Sequence, residues 1–269
     1  MQWLIAMPIL EVNSTKIHYV DVDRRTDPSA GLPLVFIHGA GSSHFCWSFQ
    51  LVEFSKTNRC IAIDLSGHGK SERLDSPASI EHGYAHEVAY LINHLNLRKF
   101  ILVGHSMGGG VALSYFLHGE FKLPDALVLV DSSPDLHLRK VTRGLIIEAI
   151  EEQGKLKQHT FEEYAEEHDM VKYEEIMKRV DAVAMQRDLL ACNEFDVTDR
   201  LHEIDVPIFA LVGESDDIIT PSIVKAYVDK LPRADLAVVR GADHVPMIEQ
   251  PDEFNRLFQK FISWVQKTE

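Results

Sequence analysis

Short apolar runs alternate along this chain with longer stretches in which apolar residues recur every third or fourth position, and the alternation predicts an architecture before any motif is considered. Residues 33–37, 60–63, 100–103, 126–130, 207–212 and 236–239 are apolar runs too short for helices, as expected of strands buried on both faces of a parallel sheet. Residues 8–12 and 16–22 are β-rich runs around Asn13-Ser14-Thr15 and read as a hairpin, followed by a polar loop over 24–31. Residues 84–96 carry Val88, Leu91, Ile92 and Leu95 at the spacing of a helix packed on one face. Further helices are expected at 222–231 and, strongly amphipathic, at 251–265. Strands and helices in this rhythm predict a mostly parallel, twisted sheet with flanking helices.

From about residue 133 to 203 the strand signal stops. Glu and Lys become frequent, and helical spacings run through 145–150, 161–168 and 170–183. This predicts a helical insert over 133–203 between two core segments, 1–132 and 204–269. The chain shows no internal repeat and no low-complexity segment.

Composition narrows the class. A chain of 269 residues that is 45% hydrophobic and 25% charged is ordinary globular material, long enough for one large α/β domain. Lys and Arg number 27 against 41 Asp and Glu, a formal charge of -14 that repels nucleic acid and anionic membrane surfaces alike, so neither is expected as a partner. Cys46, Cys60 and Cys192 are far apart and lack C-x-x-C spacing, which points to a reducing compartment and away from a disulfide framework or zinc ribbon. The apolar start lacks a basic region and meets Pro8 before it reaches signal-peptide length, and no later run approaches a membrane span; a cytoplasmic protein is expected. Because Met7-Pro8-Ile9 would serve equally well as a beginning, the first six residues read as an extension.

The chemistry centres on one stretch. Phe100-Ile101-Leu102-Val103 runs straight into Gly104-His105-Ser106-Met107-Gly108, and small and aliphatic residues then open a helix. Strand, G-x-S-x-G and helix in that order predict a nucleophile elbow. So tight a turn strains the backbone at Ser106 and requires neighbours without side chains two positions before and after it, and both are glycine. It lifts the serine hydroxyl out of the sheet and aims the Met107 amide at the helix N-terminus, where an anion is stabilised. A serine nucleophile also needs a base and an acid on loops at the same edge of the sheet. Gly213-Glu214-Ser215-Asp216-Asp217-Ile218-Ile219-Thr220-Pro221 follows one predicted strand and Gly241-Ala242-Asp243-His244 another, giving the chain order Ser, Asp, His with His244 as base. His82 and His86 flank Glu87 without the H-E-x-x-H zinc pattern and read as a solvated helix start. Gly69-Lys70-Ser71 mimics the tail of a phosphate-binding P-loop, but the glycine that motif requires is Asp64.

With His38-Gly39 after the strand at 33–37, Asp64-x-x-Gly67-x-Gly69-x-Ser71, Gly104-His105-Ser106-Met107-Gly108, the 213–221 loop and Gly241-Ala242-Asp243-His244, the chain closely resembles the α/β-hydrolase family over nearly its whole length, in particular its compact esterase, lactonase and C-C hydrolase branch. The resemblance implies the α/β-hydrolase fold, a triad of Ser106, an Asp and His244, an oxyanion hole from the amides of Ala40 and Met107, and a lid formed by the insert. It implies no cofactor and no metal. One departure concerns the acid: counting from the strand's glycine selects Asp216, whereas counting back from the proline selects Asp217. Asp216 is favoured, because distance from the strand end positions a carboxylate more tightly than distance to the next helix.

Serine at the elbow excludes the branches that need Asp there and leaves acyl chemistry. The expectation is a carboxylesterase for small to medium neutral esters, with the oligomeric state open. Rival readings on the same fold are a C-C bond or enol-lactone hydrolase, with Arg139, Arg143 or Arg187 to hold a carboxylate, a perhydrolase, and a low-turnover ligand receptor. Phe45, Trp47, Phe161, Tyr164, Met170, Met177 and Met185 are candidates to line the pocket.

Overall fold

In the computed structural model, which describes residues 8–73, 78–137 and 182–268, each apolar run has become a strand of a single sheet. β1 (Ile9–Val12) and β2 (Thr15–Val22) form the hairpin, turned by Asn13 and Ser14 in the left-handed region. β3 (Leu34–Ile37), β4 (Cys60–Ile63), β5 (Ile101–His105), β6 (Ala126–Val130), β7 (Ile208–Gly213) and β8 (Ala234–Val239) follow. The eight strands are ordered β1-β2-β4-β3-β5-β6-β7-β8; β2 is antiparallel to both its neighbours, and every pairing from β4 to β8 is parallel. The carboxyl ends of β3, β5, β6, β7 and β8 therefore share one edge, which is where loops carry chemistry in such sheets.

Strand side chains alternate between two buried faces. Leu34, Phe36, Ile101 and Val103 pack on one side with Trp47, Phe254, Phe258 and Ile262. Val35, Ile37 and Leu102 pack on the other with Val88, Ile92 and Val111. Helices thus cover both faces: α1 (Ser48–Phe54) and the carboxyl-terminal helix Pro251–Thr268 on the first, α2 (Ala85–His94) and α3 (Met107–Leu117) on the second. The carboxyl-terminal helix extends beyond the expected residue 265, and the helix expected at 222–231 spans Pro221–Val228. Periodicity misses α1 and the 3-10 turn His44–Trp47 before it, because their buried positions include polar side chains. Gln50 is fully buried and donates from Nε2 to the Met247 carbonyl at 3.0 Å and to Asn255 Oδ1 at 2.9 Å, tying α1 to the chain's last segment.

The Asp64-x-x-Gly67-x-Gly69-x-Ser71 stretch is a structural clasp. Asp64 accepts from His18 Nδ1 and His44 Nδ1, both at 2.8 Å, and from the amides of His44 at 2.8 Å and Lys70 at 3.0 Å. Burial pushes this carboxyl up, but the hydrogen bonds from His18 and His44 outweigh it and hold Asp64 far below the usual carboxylate range. Ser71 completes the clasp by accepting from the His18 amide at 2.7 Å and donating to the Asp64 carbonyl.

Of the expected insert, the described residues hold α4 (Ala182–Asn193), the 3-10 turn Thr198–Glu203 and, outside any helix, a β-bridge between Asp135 and Asp196. The helices expected at 145–150 and 161–168, and nearly all of that at 170–183, lie outside the described residues, as do Arg139, Arg143, Phe161, Tyr164, Met170 and Met177. The cysteines are buried and form no disulfide. Among the described residues no helix is long and apolar enough to cross a membrane.

The junction of β5 and α3 leaves no room for side chains: a Cβ on Gly104 would overlap the Gly108 carbonyl, and one on Gly108 would meet the carbonyls of Ile37 and His38 at 2.5 and 2.6 Å. Since these obstacles are backbone, Gly104→Ala is expected to destabilise the protein by about 3 kcal/mol or more, above ordinary core overpacking. Urea unfolding monitored by circular dichroism measures it, and a loss below about 1 kcal/mol would mean that the turn can relax.

Candidate active site

Ser106 occupies the turn between β5 and α3 at φ 51° and ψ -119°, a conformation unfavourable for any residue with a side chain. Its amide donates to the Val130 carbonyl at 2.9 Å, and its carbonyl accepts from Ser132 Oγ at 2.7 Å and from the Gly109 amide at 2.9 Å. These bonds hold the strained backbone from both sides and leave the hydroxyl facing the loops beyond the sheet edge. Met107 is the first residue of α3, so its amide has no acceptor within the helix.

The loops after β7 and β8 bring His244 and Asp216 to this hydroxyl. His244 Nε2 lies 3.0 Å from Ser106 Oγ, and His244 Nδ1 lies 2.8 Å from Asp216 Oδ2. An ionised carboxylate can only accept, so Nδ1 carries the proton and Nε2 is left to accept from the serine. Asp216 is buried while Asp217 is exposed, and only Asp216 contacts the histidine. The other oxygen of Asp216 accepts from the amides of Ile218 at 2.8 Å and Ile219 at 3.0 Å, so the loop folds back on its own carboxylate. Burial pushes the Asp216 carboxyl up, but the hydrogen bond and charge of His244 and further hydrogen bonds outweigh it and hold the group below the ordinary carboxylate range. The His244 loop is fixed by His105 Nε2, which donates to the His244 carbonyl at 2.7 Å, and by Glu249, which accepts from the Asp243 amide at 2.7 Å.

A second carboxyl behind Asp216 escapes sequence reasoning. Asp131, the residue after β6, is fully buried at φ 44° and accepts the Gly213 amide on Oδ1 at 2.8 Å. Its Oδ2 meets no hydrogen-bond donor among the described residues, yet Asp131, Asp216 and His244 bring one polar atom each within 4.8 Å of one another. Two carboxylates tolerate such proximity when one carries a proton. Burial first, and then the charge of Asp216, push the Asp131 carboxyl well above its ordinary range, so of the two Asp131 holds a proton the more tightly.

The loop after β3 closes the remaining side. A Cβ on Gly39 would lie 3.1 Å from Ser106 Cβ, so the 38–41 backbone runs directly beside the serine. The Leu65 amide donates to His38 Nε2 at 3.1 Å, leaving Nδ1 to donate to the Gly39 carbonyl at 2.8 Å. Burial and the nearby His68 push His38 down to about 4, which keeps the ring in this neutral, two-sided role. The Ser42 amide donates to the same carbonyl at 3.2 Å. With the Gly39 oxygen held by both donors, the Ala40 amide on the other side of that planar peptide points the opposite way.

Other sequence candidates fall elsewhere. Trp47 is a core residue, fully buried with its ring 5.0 Å from that of Phe36, and so does not line a pocket. Met185 on α4 is buried against Gly41, beside the loop that carries Ala40. Arg187 lies near Gly67, and its charge acts on the buried Glu87. His86 packs edge-on to His118 and Phe121 at 4.9 and 5.1 Å. The buried His18, His44 and Asp64 cluster has metal-ligand chemistry, but both histidine Nδ1 atoms donate to the carboxylate at hydrogen-bond distance and two amides occupy it as well.

Comparison with known proteins bears on the family of the whole chain. A family profile described as "Alpha/beta hydrolase family" matches residues 34–257. A non-heme chloroperoxidase of Streptomyces lividans is 27% identical over 90% of this chain and 94% of its own length. A proline iminopeptidase of Lacticaseibacillus rhamnosus is 29% identical over 88% of this chain and 92% of its own. Among solved structures, a thermophilic esterase is 26% identical with a TM-score of 0.73, covering 97% of this chain and 99% of that one.

The three acids at this edge separate by substitution. Asp216→Asn is expected to lower kcat/KM on a p-nitrophenyl ester by more than about a hundredfold, because the amide favours the wrong histidine tautomer. Asp217→Asn leaves it unchanged, and Asp131→Asn, which preserves a neutral donor to Asp216, stays within about tenfold of the parent. A loss for Asp131→Asn as large as for Asp216→Asn would make Asp131 the ionised partner instead.

Proposed function

The chain belongs to the alpha/beta hydrolase family, and from that premise we propose that it is a serine hydrolase that cleaves carboxylic esters through an acyl-enzyme. The observation that carries this reading is the unbroken relay from Ser106 Oγ through His244 to the buried Asp216, at 3.0 and 2.8 Å. Ser106 attacks the ester carbonyl as His244 Nε2 takes its proton; the imidazolium, stabilised by Asp216, then protonates the departing alcohol. Water enters, gives a proton to His244 as it attacks the acyl-serine, and the imidazolium returns that proton to Ser106 Oγ as the acid departs. The amides of Ala40 and Met107 serve as donors to the tetrahedral oxyanion, one turned by the Gly39 carbonyl contacts and the other at the amino end of α3. No metal or cofactor enters this scheme.

For the substrate, the insert sequence supplies an acidic bias, with Glu148, Glu151, Glu152, Glu162, Glu163, Glu166, Glu167, Glu174 and Glu175, which disfavours anionic substrates through local potential. So charged a segment offers little of the broad apolar face that long acyl chains require. Small to medium neutral esters fit best. The relatives favour a second reading in which the same serine meets a different partner. Similarity to a chloroperoxidase favours hydrogen peroxide in place of water at the acyl-enzyme, and similarity to a proline iminopeptidase favours an amide in place of the ester.

A p-nitrophenyl acyl-chain series separates these outcomes when run on the parent protein and on Ser106→Ala. Short acyl chains are expected to react faster than palmitate, and Ser106→Ala to lower turnover by about four to six orders of magnitude. Preference for the longest chains would contradict the substrate assignment, and Ser106-independent turnover the mechanism. Faster release of peracid with added peroxide, or cleavage of proline p-nitroanilide ahead of every ester, would move the assignment to the second reading.

A further inference from the structure

Asp188 joins the insert to the loop that carries one of the two proposed oxyanion donors. It lies on α4, the helix that returns from the insert to the core, and its carboxylate is completely buried. Oδ2 accepts from the Gly41 amide at 2.9 Å and from His68 Nε2 at 2.7 Å, and Oδ1 accepts from the Tyr84 hydroxyl at 2.6 Å. All three donors come from outside the insert. Burial disfavours a charged His68, but the hydrogen bond and charge of Asp188 outweigh it and raise this imidazole above its ordinary value; its Nδ1 meets the Ser66 carbonyl at 3.2 Å.

What Asp188 does to Gly41 follows from turn geometry. The Ser42 amide donates to the Gly39 carbonyl at 3.2 Å, which makes residues 39–42 a β-turn with Ala40 and Gly41 at its two central positions. Gly41 sits at φ +62°, a value that the commonest turn type does not have at that position. The peptide between the two central residues is Ala40–Gly41, and its N–H is the group Asp188 accepts, so Asp188 anchors the middle of the turn to α4. On the same helix Met185 covers Gly41, so closely that a Cβ there would overlap its methyl group. One helix of the insert therefore both holds the turn's central peptide and covers it.

We propose that Asp188 is a positioning residue for the oxyanion hole: by accepting the Gly41 amide it anchors the 39–42 turn to α4 and keeps the Ala40 amide beside Ser106, within reach of the reacting carbonyl. The assignment rests on the serine-esterase reading and gives the insert a part in the chemistry, since the hole is set only while α4 is seated. Loss of the acceptor detaches the turn from α4 and lets it shift as a body from its place beside Ser106, which weakens the donor to the tetrahedral intermediate while the bound ester, whose carbonyl is uncharged, is little affected.

The test compares Asp188→Ala, Asp188→Asn and the parent protein on a p-nitrophenyl ester, with affinity for a phenylboronic acid as a probe of the tetrahedral state. Asp188→Ala is expected to lower kcat by about thirtyfold or more with KM within about threefold, and to weaken boronate binding by a similar factor. Asp188→Asn keeps an oxygen for the Gly41 amide and is expected to stay within about tenfold of the parent in both measurements. Unchanged kcat in Asp188→Ala, a fall in kcat without a fall in boronate affinity, or an Asn variant as impaired as the alanine one would overturn the positioning role while leaving the esterase reading intact. If thermal melting shows that Asp188→Ala does not fold, the Asn variant decides alone, and a kcat loss there beyond about a hundredfold counts against the role. Absence of Ser106-dependent ester turnover in the parent would instead remove the esterase reading and this role with it.

Discussion

The backbone at Ser106 is held where a residue with a side chain costs about 1–3 kcal/mol, and the surrounding structure is what makes that conformation persist. The strain buys a geometry that no relaxed turn provides: β5 ends, α3 begins, and between them a hydroxyl is lifted clear of the sheet. Holding it requires β6 to pair alongside, so that the Val130 carbonyl can accept the Ser106 amide, and requires Ser132 to donate to the Ser106 carbonyl. Glycine at 104 and 108 follows from the same turn, because backbone carbonyls occupy the space of the missing side chains. The buried strand faces on either side give the sheet the stiffness to carry this load.

Electrostatics at the sheet edge are arranged by burial as much as by charge. Three carboxyls lie in the interior near the site, and each has a different solution. Asp216 has His244 and two amides, Asp188 has His68, a tyrosine and an amide, and Asp131, with the Gly213 amide and another carboxylate beside it, is pushed well above the ordinary carboxylate range. His38 is held neutral by the same dry interior, and only in that state can it accept from the Leu65 amide while donating to the Gly39 carbonyl. Protonation equilibria and backbone orientation around the reacting carbonyl are thus one problem, solved by residues from every loop at this edge.

What could be read in advance was local. Wholly apolar runs identify β3 to β7 because both sheet faces are covered there, β8 at the edge is legible although half exposed, and the elbow, the His244 loop and the acid loop announce themselves as short motifs next to strand ends. Spacing alone left Asp216 and Asp217 in competition; the fold separates them by turning one carboxylate inward to His244 and the other outward to water. Asp131 and Asp188 carry no motif, since their partners Gly213 and Gly41 lie 82 and 147 residues away in the chain. α1 was hidden for a related reason: its buried Gln50 finds partners near residues 247 and 255, so a polar position on the inward face breaks the hydrophobic period. A reading built on periodicity detects elements that bury only apolar surface and misses those that exchange polar groups across the fold.

The central claim is that Ser106 becomes covalently acylated during turnover. Rapid acid quench of the protein with a p-nitrophenyl ester, followed by intact and peptide mass spectrometry, tests it most directly. The account predicts an adduct of one acyl mass, localised to Ser106, that disappears as the substrate is consumed and does not form in Ser106→Ala. Full turnover with no adduct at any quench time under conditions that trap slow deacylation, or an adduct on a different side chain, would contradict it.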